Sequence, residues 1–433
     1  MVEADVVTTD PAEDLRRQYS ELSRQLAEAK RQGRDLDLLK AEHKRVFDRL
    51  QLIAPRKPKK LANKPEVALQ GEALTNLGDL FNLRTAWDEM LESVQNYSPF
   101  LTWEWWWPWV ECFGHAYHPR VVVARDDAGK LHGGLPLATH PKGYMFLMGS
   151  HVGPDPAYMV APAGSRAAIR AQMAALRDTN NPRIVWEQCP VDERLTDVMA
   201  AAGAEDWTSL LQIKRHYVHG DLPKTWEAYI EGVPSKNRRN SLRRQFERLE
   251  REWGIPQCAV VKEATPEALD IIDEMAQNNI KRRETRCSKS RWLESNFCRC
   301  LNSVISLFAQ RGWMRLHTIH IDGKLAAAML GWAYRGTFFA YQIGESDEHP
   351  ELGLGHCVIS NAIRASIEEG LERFEMLGQA SDFKRTYFPG LTPVATLTMG
   401  PDTGDYWSAM GSMSVRRVAK SRLSRLSEVI HGR

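Results

Sequence analysis

Two glycines one residue apart, Gly353 and Gly355, come directly before a stretch with helical periodicity. Glycine has no Cβ, so these backbone amides can approach an anion such as a pyrophosphate closely. The unpaired amides and positive dipole end of a helix that begins near His356 stabilise such a charge. A glycine-containing turn before a helix is also common without any ligand, and no P-loop lysine follows these glycines. The residues predicted to form an anion-binding loop are Ile343, Gly353, Leu354, Gly355 and His356.

Secondary-structure patterns on both sides would position this loop. Apolar residues from Val358 to Ile367 recur at helical spacing, and Gly370 ends the pattern. Upstream, residues 324–334 and 337–343 have strand-like patterns, and downstream residues 374–377 form a short one. The loop is therefore predicted to join a strand to a helix.

A second candidate site is the first turn of a helix that starts after Pro234-Ser235. Lys236, Arg238 and Arg239 occur there before any acidic residue balances them. Grouped guanidinium groups suit the recognition of phosphates or carboxylates. The remainder of this helix mixes acidic and basic residues, which is typical of a solvated face. We predict that the three cations of the first turn bind substrate.

A tryptophan-rich stretch from Trp103 to Trp109 is a third candidate. Flat apolar rings stack on sugars and line acyl grooves. Trp103 and Trp107 have helical spacing, which favours a core position, whereas Trp106 lies on another face. Trp106 is therefore predicted to bind substrate.

Composition limits the classes of protein that fit. A chain of 433 residues predicts two or three domains, and 57 basic against 55 acidic residues give a net charge of +2 that forces no nucleic-acid or membrane partner. The seven cysteines show no zinc-binding spacing and are interpreted as reduced thiols, and no metal site is predicted. The first residues have neither a basic region nor an apolar region of the kind found in signal sequences, so we expect no secretory signal, and no apolar stretch is long enough for a membrane helix. We expect a soluble, cytoplasmic protein.

Both ends of the chain have helical patterns. Residues 1–53 have apolar positions at alternating spacings of four and three, which predicts a helical coiled-coil arm that self-associates, binds a partner or folds back on the body. Residues 54–74 are predicted to be a basic, proline-rich linker. Residues 406–433 predict a basic amphipathic helix, which either lies on an anionic membrane surface at the inner face of the cytoplasmic membrane or docks against the body.

An internal repeat indicates how the body is built. Residues 120–136 and 314–331 both resemble a β-hairpin with Gly-Lys-Leu at the turn, although two hairpins can match by chance. Helix-like sequence precedes each hairpin, and further strand and helix patterns follow it. We therefore predict two related α/β halves, residues 75–215 and 216–405, each a mixed sheet covered by helices.

From about Ser98 to Met399 the chain resembles the GNAT-fold acyltransferases of the CelD-like (cellulose-biosynthesis CelD) family, which are related to the FemAB aminoacyltransferases. The stretches that carry the resemblance are Ser98-Pro99-Phe100 with the tryptophans that follow, the Arg120 hairpin, residues 226–244, and the glycine loop with Gly378 and Phe383-Lys384. The resemblance implies an α/β (α+β) fold of tandem GNAT-like halves with mostly antiparallel sheets. It also implies an acyl-CoA, or another activated acyl donor, bound to the second half.

Two positions depart from the family pattern. Pro350 stands where the donor loop usually has Gln or Arg, so one side-chain contact to the pyrophosphate is absent. Phe383 stands where relatives often have Tyr. The fold prediction is unaffected, and both acetyl-CoA and a longer acyl thioester remain open as donors.

Acyl transfer to an amine needs a neutral amine, a polarised carbonyl and a proton for the leaving thiolate. The amides of residues 337–344 are predicted to polarise the carbonyl. Glu345 and Asp382 are alternative bases for the amine proton, although Glu345 also fits a solvated loop. Lys384 would neutralise phosphate or developing charge, or lie on the surface. Tyr387 would protonate the thiolate, or pack under the sheet.

The predicted function is acyl-CoA-dependent N-acylation of a small-molecule or lipid amine, such as an amino sugar of an envelope polysaccharide. One alternative is a FemAB-like aminoacyl-tRNA-dependent transferase, which would add a nucleic-acid partner. Another is a catalytically silent GNAT-like scaffold that binds partners through its amino-terminal helices.

Overall fold

A computed structural model shows the body that carries the glycine loop. The described residues are 21–22, 25, 68–93, 98–150, 166–177, 179, 183–233, 236–253, 257–284, 289–349 and 352–401. The chain divides into two compact units, Met1–Glu66 and Val67–Arg433. Three residues of the first unit are described, and all three are helical. The predicted arm over residues 1–53 otherwise lies outside the described residues, as does the predicted helix over residues 406–433.

Twelve strands form one sheet within the described residues. In chain order, β1 to β12 span Gln70–Leu74, His118–Arg125, Leu131–His140, Tyr144–Leu147, Ile184–Pro190, Trp207–Asp221, Gln257–Val261, Met314–Ile321, Lys324–Tyr334, Thr337–Glu345, Arg373–Glu375 and Gly390–Pro401. Their order across the sheet is β1-β2-β3-β4-β5-β12-β6-β11-β10-β9-β8-β7. The pairs β4–β5 and β10–β11 are parallel, and the others are antiparallel. The predicted mixed, mostly antiparallel α/β fold is confirmed.

Helices cover both faces of this sheet. Those of the body, α1 to α11, span Leu77–Asn82, Arg84–Ser93, Trp103–Phe113, Arg166–Arg177, Glu193–Ala204, Trp226–Gly232, Lys236–Trp253, Pro266–Glu284, Ser295–Gln310, Leu354–Glu368 and Asp382–Arg385. One core joins α2, α3, α8 and α9 across both halves. Two further cores hold α6 and α10, and α4 and α5. Neighbouring residues of β9 alternate between cores, Leu330 in the first and Met329 in the second, as a strand covered on both faces requires.

Both predicted hairpins are present, as β2–β3 and β8–β9. The turn of the second has positive φ angles at its two central residues, 50° at Asp322 and 77° at Gly323. Positive φ at both positions gives a turn whose twist matches that of the flanking strands. Asp-Gly is a sequence that adopts this turn readily, which explains why the sequence revealed the hairpin.

The two halves share one sheet, and this changes the predicted boundaries. Strand β12 pairs with both β5 and β6, so the last described strand lies between the halves. The predicted boundary between residues 215 and 216 falls inside β6, which runs to Asp221. Residues 70–74, predicted as linker, form β1 and pair with β2. Strand pairing over such distances leaves no local signal in the sequence.

An ion pair fastens the carboxyl end of α10 to the sheet. Glu369 directly follows this helix, and its Oε2 accepts a hydrogen bond from Arg315 Nε of β8 at 2.9 Å. Lys262 Nζ lies 3.1 Å from the other carboxylate oxygen. The hydrogen bond from Arg315, with that from Lys262, lowers the pKa of Glu369 from 4.5 to about 2 against the opposing effect of burial. The helix that carries the glycine loop is thereby held in place.

We expect Glu369→Gln to reduce the amount by which stability falls between neutral and acid pH. The folded carboxylate has the lower pKa, so its contribution is complete above about pH 4.5 and is lost as the pH falls towards about 2. Melting temperatures measured between pH 7 and pH 2 should therefore converge for the two proteins at the acid end, with the wild type higher at pH 7. Parallel curves would contradict this assignment.

Candidate active site

The glycine loop lies where α10 begins. Gly353 is the N-cap of α10, with φ 61° and ψ 47°, a left-handed conformation that glycine adopts without steric cost. A Cβ added to Gly355 would lie 2.6 Å from Glu345 Oε2. Glycine at position 355 therefore lets a carboxylate, or another anionic group, reach the backbone of the first helical turn.

Strands β10 and β11 separate beside this loop. They pair over only three residues, Thr337–Phe339 with Arg373–Glu375. Strand β10 then continues to Glu345 along β9, with an irregularity in register between Ala340 and Gln342. Beyond Phe339, the edge of β10 that faces β11 has no strand partner among the described residues. Such an edge offers backbone groups to a ligand.

A cavity of about 620 Å³ opens at the end of β10 and the start of α10. Its volume is in the range of small-molecule sites. The structure brings together in its wall all the residues predicted for the anion-binding loop and one predicted base, namely Ile343, Gly353, Leu354, Gly355, His356 and Glu345. Arg282, His349 and Phe383 also line it. Phe383 is 40% exposed and presents an aromatic ring at this position.

Glu345 already binds the first turn of α10. Gly355 N donates a hydrogen bond of 2.6 Å to Glu345 Oε2, and Arg282 Nη1 donates one of 2.7 Å to Oε1. A carboxylate is stabilised at a helix amino terminus by the dipole and the unpaired amides. The loop therefore holds an anion in this structure, and that anion belongs to the chain.

His356 connects the cavity to a buried tyrosine. Its Nδ1 lies 2.5 Å from the Tyr387 hydroxyl and 3.2 Å from Arg238 Nη2. The Arg238 guanidinium also lies over the Tyr387 ring, 4.6 Å from its centroid. Burial raises the pKa of Tyr387. Burial, and then Arg238, lower the pKa of His356, while Glu345 acts in the opposite direction.

The other predicted polar residues lie outside the cavity wall. Asp382 is exposed at the start of α11, and Lys384 of the same helix donates a hydrogen bond to the Leu377 carbonyl. Lys236 is exposed, whereas Arg239 Nη1 donates a 2.6 Å hydrogen bond to the Val233 carbonyl after α6. Their roles in substrate binding and catalysis stay predictions.

Trp106 is a correction. It has no exposed surface, and its ring lies 5.3 Å from that of Trp87 in an edge-to-face arrangement. Helix α3 buries Trp103, Trp105 and Trp109 as well, so it is covered on several faces. Because its side chain has no exposed surface, Trp106 cannot contact a ligand in this structure, and the prediction that it binds substrate was wrong.

Arg282 was missed by the sequence analysis. It lies in the last turn of α8, between Lys281 and Arg283. Three consecutive cations at a helix end were a usable signal. The contact between Arg282 and Glu345 arises from tertiary packing and could not be deduced from spacing.

Comparison with known proteins identifies the domain. Residues 236–385 match the family described as Acetyltransferase (GNAT) domain. This range runs from the start of α7 to the end of α11 and contains all the residues that line the cavity, including the glycine loop. This part of the chain is therefore similar to a GNAT acetyltransferase domain. No curated protein matches the chain in sequence.

One solved structure shares the fold, and two others are similar to it at lower TM-scores. FemX superposes with a TM-score of 0.56 at 11% identity, over 74% of this chain and 97% of FemX. The C-terminal domain of a putative lysylphosphatidylglycerol synthetase from Agrobacterium fabrum gives 0.49 at 11% identity, over 78% and 96%. A tandem GNAT protein from the clavulanic acid biosynthesis pathway gives 0.40 at 12% identity, over 77% and 100%. At these identities the similarity concerns the fold alone.

No helix among the described residues is long and apolar enough to cross a membrane. Within the same residues, no three His, Cys, Asp or Glu side chains are grouped as metal ligands.

Proposed function

We propose that the protein is an acyl-CoA-dependent N-acyltransferase. One observation carries this proposal: the amino terminus of α10 and the gap between β10 and β11 meet at one cavity. The amide of Leu354 would hold the pyrophosphate of the donor, together with that of Gly355 once the pyrophosphate replaces Glu345. The unpaired edge of β10 beyond Phe339 would hold its acyl arm.

The residues present fit the chemistry of amide formation. The acceptor nitrogen attacks the thioester carbonyl, a C–N bond forms, and the C–S bond breaks to release a thiolate that takes up a proton. Backbone amides of β10 would stabilise the negative charge that develops on the carbonyl oxygen. Glu345 or Asp382 would accept the amine proton, directly or through water. Tyr387, the predicted acid, contacts the cavity wall through His356.

The acceptor would be an amine on a sugar or a lipid, in keeping with the CelD-like resemblance. A lipid amine would fit peripheral contact between the basic segment 406–433 and an anionic membrane at the cytoplasmic face. Residues 1–53 would provide self-association or partner binding. We place the reaction in the cytoplasm, where acyl-CoA donors are available.

Calorimetric titration with CoA and with acyl-CoAs of increasing chain length tests the proposal. We expect saturable binding, together with transfer of a labelled acyl group to an amine that ribonuclease treatment does not affect. Absence of binding at every chain length would contradict the proposal and favour a scaffold role.

One observation favours an aminoacyl-tRNA-dependent transferase as the second candidate. The amide of Gly355 is occupied by Glu345, so a donor without a pyrophosphate would leave this contact intact. Arg282 contacts Glu345 and Arg238 contacts His356 near the start of α10, and both guanidinium groups would suit an RNA phosphate. Loss of transfer on ribonuclease treatment would select this candidate.

We expect Glu345→Gln to tighten CoA binding by about threefold to tenfold, because the neutral amide competes less well for the Gly355 amide and Arg282. Binding is measured by calorimetry and turnover by acyl transfer. A general base would behave differently: its removal would lower turnover by about 100-fold or more and leave the affinity unchanged. That second pattern would contradict the competition between Glu345 and the donor.

A further inference from the structure

Two hydrogen-bond donors surround one nitrogen of His356. Arg238 Nη2 lies 3.2 Å from Nδ1, and the Tyr387 hydroxyl lies 2.5 Å from the same atom. A guanidinium has no acceptor, so its N–H must point at a nitrogen that carries no proton. The Tyr387 hydroxyl has one proton, which it can donate to Nδ1 at 2.5 Å or to the His356 carbonyl oxygen at 3.5 Å, and the contact to Nδ1 is the shorter. The hydrogen-bond pattern makes Nδ1 an acceptor.

An acceptor at Nδ1 fixes the state of the whole ring. A neutral imidazole carries one proton, which must then reside on Nε2. The doubly protonated ring would direct an N–H at the Arg238 guanidinium and add a like charge beside it. The lowered pKa of His356 agrees with the neutral form: burial, and then Arg238, lower this pKa, and the charge of Glu345 opposes them.

The ring edge that carries Cδ2 and Nε2 lies towards the glycine loop. His356 lines the cavity, and its Cδ2, which is bonded to Nε2, is 3.8 Å from the position that a Cβ of Gly353 would occupy. Arg238 and Tyr387 approach the ring from the Nδ1 side. The ring therefore has one edge towards its two hydrogen-bond partners and the other towards the glycine loop.

We propose that His356 presents a fixed, neutral Nε2–H group to a phosphate oxygen of the donor, and that Arg238 and Tyr387 are positioning residues that hold this tautomer. The inference rests on the proposed donor site. The Nε2–H group would add a side-chain hydrogen bond to those that the amides of the glycine loop provide. It would also compensate for the contact to the pyrophosphate that Pro350 cannot make. The neutral Nε2–H group would donate a hydrogen bond to an oxygen acceptor without adding a net charge to the site.

NMR of ¹⁵N-histidine-labelled protein tests the tautomer without any donor. Long-range ¹H–¹⁵N spectra distinguish the two tautomers, and comparison with His356→Gln assigns the signal among the 13 histidines. We expect Nε2–H at neutral pH in the wild type and in Tyr387→Phe. In Arg238→Met the Tyr387 hydroxyl can rotate and accept, so an Nδ1–H population should appear. A wild-type ring that is Nδ1–H or doubly protonated would overturn the proposal.

Calorimetry with inorganic pyrophosphate and CoA tests the contact. Glutamine can place an N–H near the Nε2 position, whereas asparagine reaches only the Nδ1 position. We expect His356→Gln to bind within about threefold of the wild type and His356→Asn to bind about tenfold more weakly. Equal binding by both variants and the wild type would overturn the role of His356 while leaving the donor site standing. Failure of the wild type to bind either probe would overturn the donor site itself, whatever the tautomer.

Discussion

Gly355→Asp is expected to weaken CoA binding by about 100-fold or more. The aspartate side chain would occupy space at the glycine loop, and its negative charge would repel the pyrophosphate. Gly355 N is the amide that holds the Glu345 carboxylate, and any side chain here points at that carboxylate. An acidic residue in the first turn of a helix is itself compatible with the dipole. The variant should therefore fold, and calorimetric titration of CoA measures the loss directly.

Two controls separate charge from space. Gly355→Ala adds a Cβ that lies 2.6 Å from Glu345 Oε2, the movable end of a side chain, so it should weaken binding far less than aspartate does. Gly203→Asp makes the same chemical change in open space at the end of α5 and should leave binding unchanged. A folded Gly355→Asp protein with wild-type affinity for CoA would remove the glycine loop from the donor site.

Trp106→Ala is expected to lower the free energy of unfolding by about 3–5 kcal/mol, the usual cost of emptying a large aromatic site in a core. Trp106 is fully buried and packs against Trp87 and Trp103. Urea unfolding followed by circular dichroism measures the change. The fraction that remains folded should bind CoA and acceptor as the wild type does, because the ring contacts no solvent.

The matched control is Trp107→Ala, one residue further along α3. Trp107 is only partly buried and stacks on Trp103 at 5.5 Å, so the loss of stability should be smaller than for Trp106→Ala. A cost below about 1 kcal/mol for Trp106→Ala, with a loss of acceptor binding, would restore the substrate-platform interpretation and contradict the core position.

Local patterns predicted the elements of the fold but not their assembly. The β8–β9 hairpin was predictable because Asp322-Gly323 supplies the positive φ angles that the turn needs. Helix α10 was predictable from apolar spacing between Val358 and Ile367. The insertion of β12 between β5 and β6 was not, since pairing of remote strands depends on tertiary structure. The prediction of two related halves therefore did not include the single sheet that joins them.

In the candidate site, too, local sequence patterns predicted some residues, whereas tertiary packing determined others. Gly353, Gly355 and His356 lie within four consecutive residues, so the prediction of a helix start was enough to group them. Arg282 comes from α8 and reaches the loop by packing. The prediction for Trp106 failed because helical spacing identifies one buried face and cannot show that a second face is also covered.

Hydrogen–deuterium exchange of the segment from Ile343 to Cys357, measured with and without saturating acyl-CoA, tests the central claim most directly. The donor should protect the amides at the start of α10 and along the unpaired edge of β10. Strand β1, in the other half of the sheet, should show no change. Unchanged exchange of the glycine loop at saturation, with protection elsewhere, would contradict the assignment of this cavity to the acyl donor.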